Sequence, residues 1–308
     1  SDISPTAGQI PRSVGLALAS KLYRNIDTEI KNKFTKGGNE ICWATIGNAS
    51  TSQGIFFEAM NAASVIQIPL IMSVWDDGYG ISVDNKIQTV KSSISEALKG
   101  FSDKNGDKPL KIFRVNGWDY SAMIKVYSQA EEIARKTHTP ILIHVDELTQ
   151  PLGHSTSGSH QRYKSDERLK WENEFDCNIK FKQWIIEKNL GTEEELNEIE
   201  ESCKNFVKES KIDAWESYQK PIRESNTELV EILSNVLKIS NNDLNLKVSI
   251  ENLRNKKELI YKDLLQIAKK TVRKFRKSDN QYLHSLKIWI KNLENQLEDK
   301  FSSHLYSQ

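Results

Sequence analysis

Cysteine is scarce in this chain of 308 residues: the three present, Cys42, Cys177 and Cys203, are far apart and never form a Cys-x-x-Cys pair. That argues against a disulfide framework and against a thiolate zinc centre, and it makes the reducing cytoplasm the expected compartment. An excess of one charge is also lacking. Lys and Arg number 43 against 42 Asp and Glu, a formal net charge of +1, so no global field recruits nucleic acid or an anionic membrane. No apolar run reaches the roughly 18–20 residues that a membrane span needs. The opening SerAspIleSerProThrAlaGlyGlnIlePro has neither an initiator Met nor the basic-then-apolar layout of a signal peptide. It reads like the middle of a domain, so a fragment of a longer protein is expected.

What is present divides by texture near residue 220. Before that point, four short apolar runs at 41–46, 70–75, 111–116 and 141–146 alternate with helical patterns at about 11–24, 51–67, 92–101 and 120–136. The β-branched content and length of the runs favour buried strands. Such alternation predicts an α/β fold, a parallel sheet with helices on both faces. Ligands of these sheets bind beyond the carboxyl ends of the strands, which directs attention to the loops after 41–46, 70–75 and 141–146. Beyond 220 the strands stop. Leu229, Ile232, Leu233, Val236 and Leu237, and later Leu286, Ile288, Trp289, Ile290, Leu293 and Leu297, fall at helical spacing. They predict helices packed on the main domain or on a partner, or else a coiled pair.

Two loops carry chemistry. IleGlyAsnAlaSerThrSerGlnGly (46–54) follows a strand and opens a helix, with small residues that let the backbone approach a ligand. Ser50 and Thr51 are candidate caps of that helix, whose N-terminus favours an anion. After the strand ending at Trp75 comes AspAspGlyTyrGlyIleSer (76–82). Adjacent acids at the end of a buried strand repel unless a cation or solvent relieves them. Read from the residues alone, this is either a solvated turn or an oxygen site for Mg²⁺ or Ca²⁺.

Taken together, the stretch 46–82 resembles the thiamine-diphosphate motif, a Gly-Asp-Gly followed some two dozen residues later by Asn-Asn. Here its pieces are Gly47-Asn48-Ala49 and Asp76-Asp77. ThrSerGlnGlyIlePhePheGluAlaMetAsnAlaAla, which begins at Thr51, and GlyTyrGlyIleSer at 78–82 resemble the alpha subunits of 2-oxoacid dehydrogenases, close to the 2-oxoisovalerate and pyruvate dehydrogenase group. The resemblance implies a divalent cation, Mg²⁺, held by Asn48, Asp77 and the Tyr79 carbonyl. The motif's acid has become Asn48 and its amide Asp77, so the charge presented to the ion is unchanged. GlyHisSerThrSer at 153–157 resembles the family's His-Ser loop, which assigns cofactor contact and assistance of acyl transfer to His154. Ser155 falls where some eukaryotic relatives are phosphorylated. SerProThrAlaGlyGlnIlePro (4–11) resembles the segment that touches the cofactor ring and assigns Ser4 and Thr6 to it, with Gly47, Ala49 and Ser50 on the diphosphate. ValAsnGlyTrpAspTyr (115–120) resembles a structural turn of the family.

The resemblance covers roughly residues 1–215, an N-terminally incomplete thiamine-diphosphate domain, and leaves 216–308 as a helical extension or linker. It implies oxidative decarboxylation of a 2-oxo acid, branched-chain or pyruvate, on thiamine diphosphate, with acyl transfer to a lipoyl group. It also implies a beta-type subunit or domain, a lipoyl-bearing acyltransferase and a hetero- or homo-oligomer. Two other readings are a transketolase-like half, and a non-catalytic assembly subunit with Asn48 and Trp75 as marks of a decayed site.

Overall fold

The computed structural model describes residues 5–26, 29, 31–102, 110–154, 158–240, 242–277 and 280–302. They form two compact units, Ser1–Leu196 and Asn197–Gln308.

The first unit is an α/β layer structure. Its strands are β1 (Cys42–Gly47), β2 (Leu70–Trp75), β5 (Lys111–Asn116) and β6 (Ile141–Asp146), all parallel, in the order β1-β2-β6-β5. A two-residue hairpin pair, β3 (Tyr79–Gly80) and β4 (Val83–Asp84), stands apart from the sheet. The helices of this unit are α1 (Ile10–Asn25), α2 (Lys31–Phe34), α3 (Gly54–Ile66), α4 (Asn85–Gln88), α5 (Ile94–Ala97), α6 (Tyr120–Thr137), α7 (Asp166–Glu174) and α8 (Cys177–Glu187).

Side chains alternate across the pleat, so each strand feeds two cores. Leu70, Met72 and Val74 of β2 join Ile46, Leu142, Phe56, Met60 and Ile94 in one buried cluster. Ile71 joins Ile141, Ile143, Val145 and Val115 in the other, under Ala130 and Ala134 of α6. Burying each of the larger side chains contributes about 1.5–3 kcal/mol, which is why these runs are apolar on both faces. Asp119 caps α6 by accepting from the Ala122 N–H at 2.9 Å, so the 115–120 turn launches that helix.

The expected strands and the parallel sheet are all present. Two helices differ from expectation. The span 51–67 starts as a 3₁₀ turn at Ala49–Ser52, and α3 proper begins only at Gly54. Thr51 does not cap it: its hydroxyl donates back to the Asn48 carbonyl at 2.6 Å, and no side chain caps the α3 N-terminus. The span 92–101 is broken. Lys91 and Ser92 both have positive φ, and Ser93 then restarts the chain as the short α5 by accepting from the Glu96 N–H.

The second unit comprises most of α9 (Glu193–Ile239), with α10 (Leu244–Asn255), α11 (Tyr261–Lys274) and α12 (Gln281–Phe301). These helices share a core of their own. Leu229 and Leu233 pack with Ile250, Leu264, Leu286 and Trp289, and Asp243 and Asn280 cap α10 and α12.

Candidate functional site

The register of β1 on β2 places Gly47 beside Trp75, so the residues that leave the two strands are neighbours. The Asn48 N–H donates to the Trp75 carbonyl at 3.0 Å, and the Asp76 N–H donates to the Val145 carbonyl of β6 at 2.8 Å. The two loops then press together. A Cβ added to Gly80 would lie 2.6 Å from the Ala49 Cβ, so only glycine fits there.

A cavity of about 710 Å³ opens between these loops, the N-terminal segment and the stretch after β6. Thr6, Gly47, Asn48, Ala49, Ser50, Asp77, Tyr79 and His154 all line it. Every expected site residue except Ser4 is therefore in one place; Ser4 and Ser155 lie outside the described residues. Gly47 faces open space, because a Cβ built on it meets no atom within 4 Å. The wall at Gly47 is hollow, with its backbone open to the cavity.

The paired acids have separate fates. Asp76 turns inward and is 4% exposed. Its carboxylate accepts from the Gly78 N–H at 2.8 Å, from Asn85 Nδ2 at 3.0 and 2.9 Å, and from His144 Nε2 at 2.9 Å. The protein's own donors relieve this acid, with no need of a cation. Asp77 lines the cavity, and its Oδ1 accepts from the Tyr79 N–H at 3.1 Å. Burial pushes the Asp77 carboxyl above the ordinary carboxylate range, against the pull of the Tyr79 N–H and the Lys164 charge, and Asp76 adds to the rise. A carboxyl pushed up in this way is one that a cation would stabilise.

Asn48, 5% exposed, donates through Nδ2 to the Tyr79 carbonyl and to Asn85 Oδ1, both at 3.1 Å. Behind the loop, Arg168 Nη2 donates to the Asp77 carbonyl at 2.8 Å, and its guanidinium lies 5.6 Å from the Tyr79 ring centre. Arg168 is itself held by Glu172 at 2.8 Å, and both Glu172 oxygens also accept from Lys164, each at 2.8 Å. Glu172 and Lys164 are almost wholly buried.

A model of the dehydrogenase E1 component family matches residues 2–223. The chain belongs to that family. Over 202 residues it is 28% identical to the pyruvate dehydrogenase E1 component subunit alpha of Rickettsia bellii, covering 66% of this chain and 55% of that protein. Over 232 residues it is 26% identical to the mitochondrial 2-oxoisovalerate dehydrogenase subunit alpha of Dictyostelium discoideum, covering 74% of this chain and 47% of that protein. The chain spans about half the length of the curated relatives it matches.

In this E1-family chain several site residues escape a reading of the sequence. Ile81, Gln88, Leu148, Thr149 and Gln150 complete the cavity wall beside Trp75, which the sequence had already singled out. Asn85 and His144 support it from behind. The strand-end rule points to the loop containing Leu148, but nothing local marks Asn85 or His144 as belonging to the site. Among the described residues no group of three His, Cys, Asp or Glu is placed to hold a metal. A site built of one carboxylate, one amide oxygen and one backbone carbonyl is of a different kind and suits a hard cation.

Proposed function

We propose that this chain is the alpha-type part of a 2-oxoacid dehydrogenase and holds the diphosphate and metal half of a thiamine-diphosphate site. The observation that carries this reading is the convergence of eight expected residues, from four separate segments of the sequence, on one cavity in an E1-family chain. The residues present fit the group. Asn48, Asp77 and the Tyr79 carbonyl are oxygen donors suited to Mg²⁺. Gly47, Ala49 and Ser50 leave the backbone open to a diphosphate, and Thr6 stands on the wall where the ring would lie.

Bound thiamine diphosphate supplies the carbanion stabilisation that decarboxylation of a 2-oxo acid requires. The protein's own part is orientation and charge placement. Asp77 would provide the anion that holds the cation, whose chemistry when bound is to neutralise diphosphate charge. Tyr79 and Asn48 fix the position of the Asp77 loop. His154, on the cavity wall, would reach the cofactor and assist acyl transfer by giving a proton to the lipoyl sulfur released when the acyl group joins its neighbour. The substrate is a branched-chain 2-oxo acid or pyruvate, in keeping with the names of the relatives. The remaining acid–base chemistry comes from a beta-type subunit or domain, and a lipoyl-bearing acyltransferase accepts the product.

Calorimetric titration of thiamine diphosphate into the chain, with and without Mg²⁺, tests this reading. Saturable binding that needs Mg²⁺ is expected, with no turnover until a beta-type partner is added. A chain that does not bind the cofactor is a decayed assembly subunit.

A further inference from the structure

Asp76 is not in the cation's path, and yet it decides how Asn48 is turned. The two ends of an asparagine amide are nearly the same shape, so its orientation is set by its hydrogen bonds. A carboxylate only accepts. Asp76 therefore obliges Asn85 to direct its Nδ2 inward, at 3.0 and 2.9 Å, which leaves Asn85 Oδ1 facing Asn48. Asn48 must answer with Nδ2, and the same nitrogen also reaches the Tyr79 carbonyl. Both N–H groups of the Asn48 amide are engaged, and its oxygen is the atom left for the cavity. Asn85 is 7% exposed, so solvent does not compete. His144 holds the far side of Asp76 at 2.9 Å and is in turn 2.8 Å from Ser95 Oγ.

We infer that Asn85 is a positioning residue that turns the side-chain oxygen of Asn48, and not its nitrogen, toward a divalent cation. The inference rests on reading the cavity as a metal–diphosphate site. It gives the first acid of the Asp76-Asp77 pair a task of its own, as the acceptor that sets the direction of the chain from Asp76 through Asn85 to Asn48. An amide nitrogen is no ligand for Mg²⁺ or Mn²⁺, and loss of Asn85 would leave the Tyr79 carbonyl as the one acceptor holding Asn48 Nδ2, which weakens the preference for presenting the oxygen.

The test is a cycle of variants in the full chain, titrated by calorimetry with thiamine diphosphate and Mn²⁺. Asn85→Leu in the parent should weaken metal-dependent binding about 10- to 100-fold, the range for loss of a supporting partner behind a ligand. In an Asn48→Asp background both ligand atoms are oxygen and orientation no longer matters. There the same substitution should cost less than about threefold, a non-additivity that a merely structural role does not give. Equal losses in both backgrounds, or no loss in the parent, overturn the inference while leaving the site reading intact. Failure of the unmodified chain to bind overturns both. Should Asn85→Leu not fold, Asn85→Ala is read in the same two backgrounds.

Discussion

His144 Nε2 stands 2.9 Å from Asp76 Oδ2, with the two side chains 1% and 6% exposed. The pairing follows from the register, which sets His144 of β6 beside Val74 of β2, two residues before the acid. An imidazole inside a buried strand thus supplies a donor to the acid that ends the neighbouring strand. His144→Leu keeps the volume but leaves a buried carboxylate oxygen without that donor. The expected cost is about 1–3 kcal/mol, read as a shift of the denaturant midpoint. An unchanged midpoint would mean that Asp76 finds another donor.

Gly47 and Gly80 line one cavity and predict opposite behaviour. Gly47→Ala adds a methyl to open space and should leave the melting temperature unchanged while weakening thiamine diphosphate binding. Gly80→Ala drives a methyl into Ala49 and Gln88 and should cost about 1–3 kcal/mol whether or not the cofactor is present. Calorimetry and thermal melts on the two variants separate the effects.

Asp77 carries the charge of the proposed cation site. Asp77→Asn should reduce Mg²⁺-dependent binding of thiamine diphosphate at least tenfold, and the double exchange Asp77→Asn with Asn48→Asp should restore much of it, since one carboxylate again faces the ion. Binding by Asp77→Asn equal to that of the parent would remove Asp77 from the site.

His138 ends α6 in a left-handed conformation and is 6% exposed. Burial lowers its imidazole below the ordinary value of 6.5; the Arg24 charge lowers it further, and the Gly38 carbonyl opposes this. The unfolded chain therefore takes up the proton first as pH falls. The histidine's contribution to stability is complete above about pH 6.5 and declines as the pH drops toward the lower folded value. His138→Asn, which tolerates the positive φ, should flatten melting temperature against pH between about pH 5 and 7. A parental profile already flat in that window would count against it.

The sheet was legible because its strands are short, β-branched and apolar on both faces, and the site loops because they follow strand ends. Asn48, Asp77 and His154, which line one cavity, were singled out through a resemblance carried by their neighbours. His144 could not be found this way: it sits in an apolar run, and its partner is 68 positions away in sequence. Asn85 is hidden for the same reason, since its meaning comes from Asp76 and Asn48 together. The break at Lys91 and Ser92 arises from backbone angles that neither residue type favours. The apolar spacing of α9 and α12 showed that these helices bury a face, but not that they bury it against α10 and α11.

The strand order β1-β2-β6-β5 has a consequence for synthesis on the ribosome. The inner strand β2 finds one neighbour early, in β1, but its second is β6, the last of these four strands in chain order. The edge strand β5 precedes β6 and, among the described residues, pairs with nothing else. Until β6 emerges, two strands of the nascent chain carry unpaired backbone edges, and the Asp76 carboxylate lacks its imidazole. Emergence of residues 141–146 is thus the event that joins these four strands, and a pause shortly before it would prolong an interval in which the growing chain is open to chaperones or to aggregation.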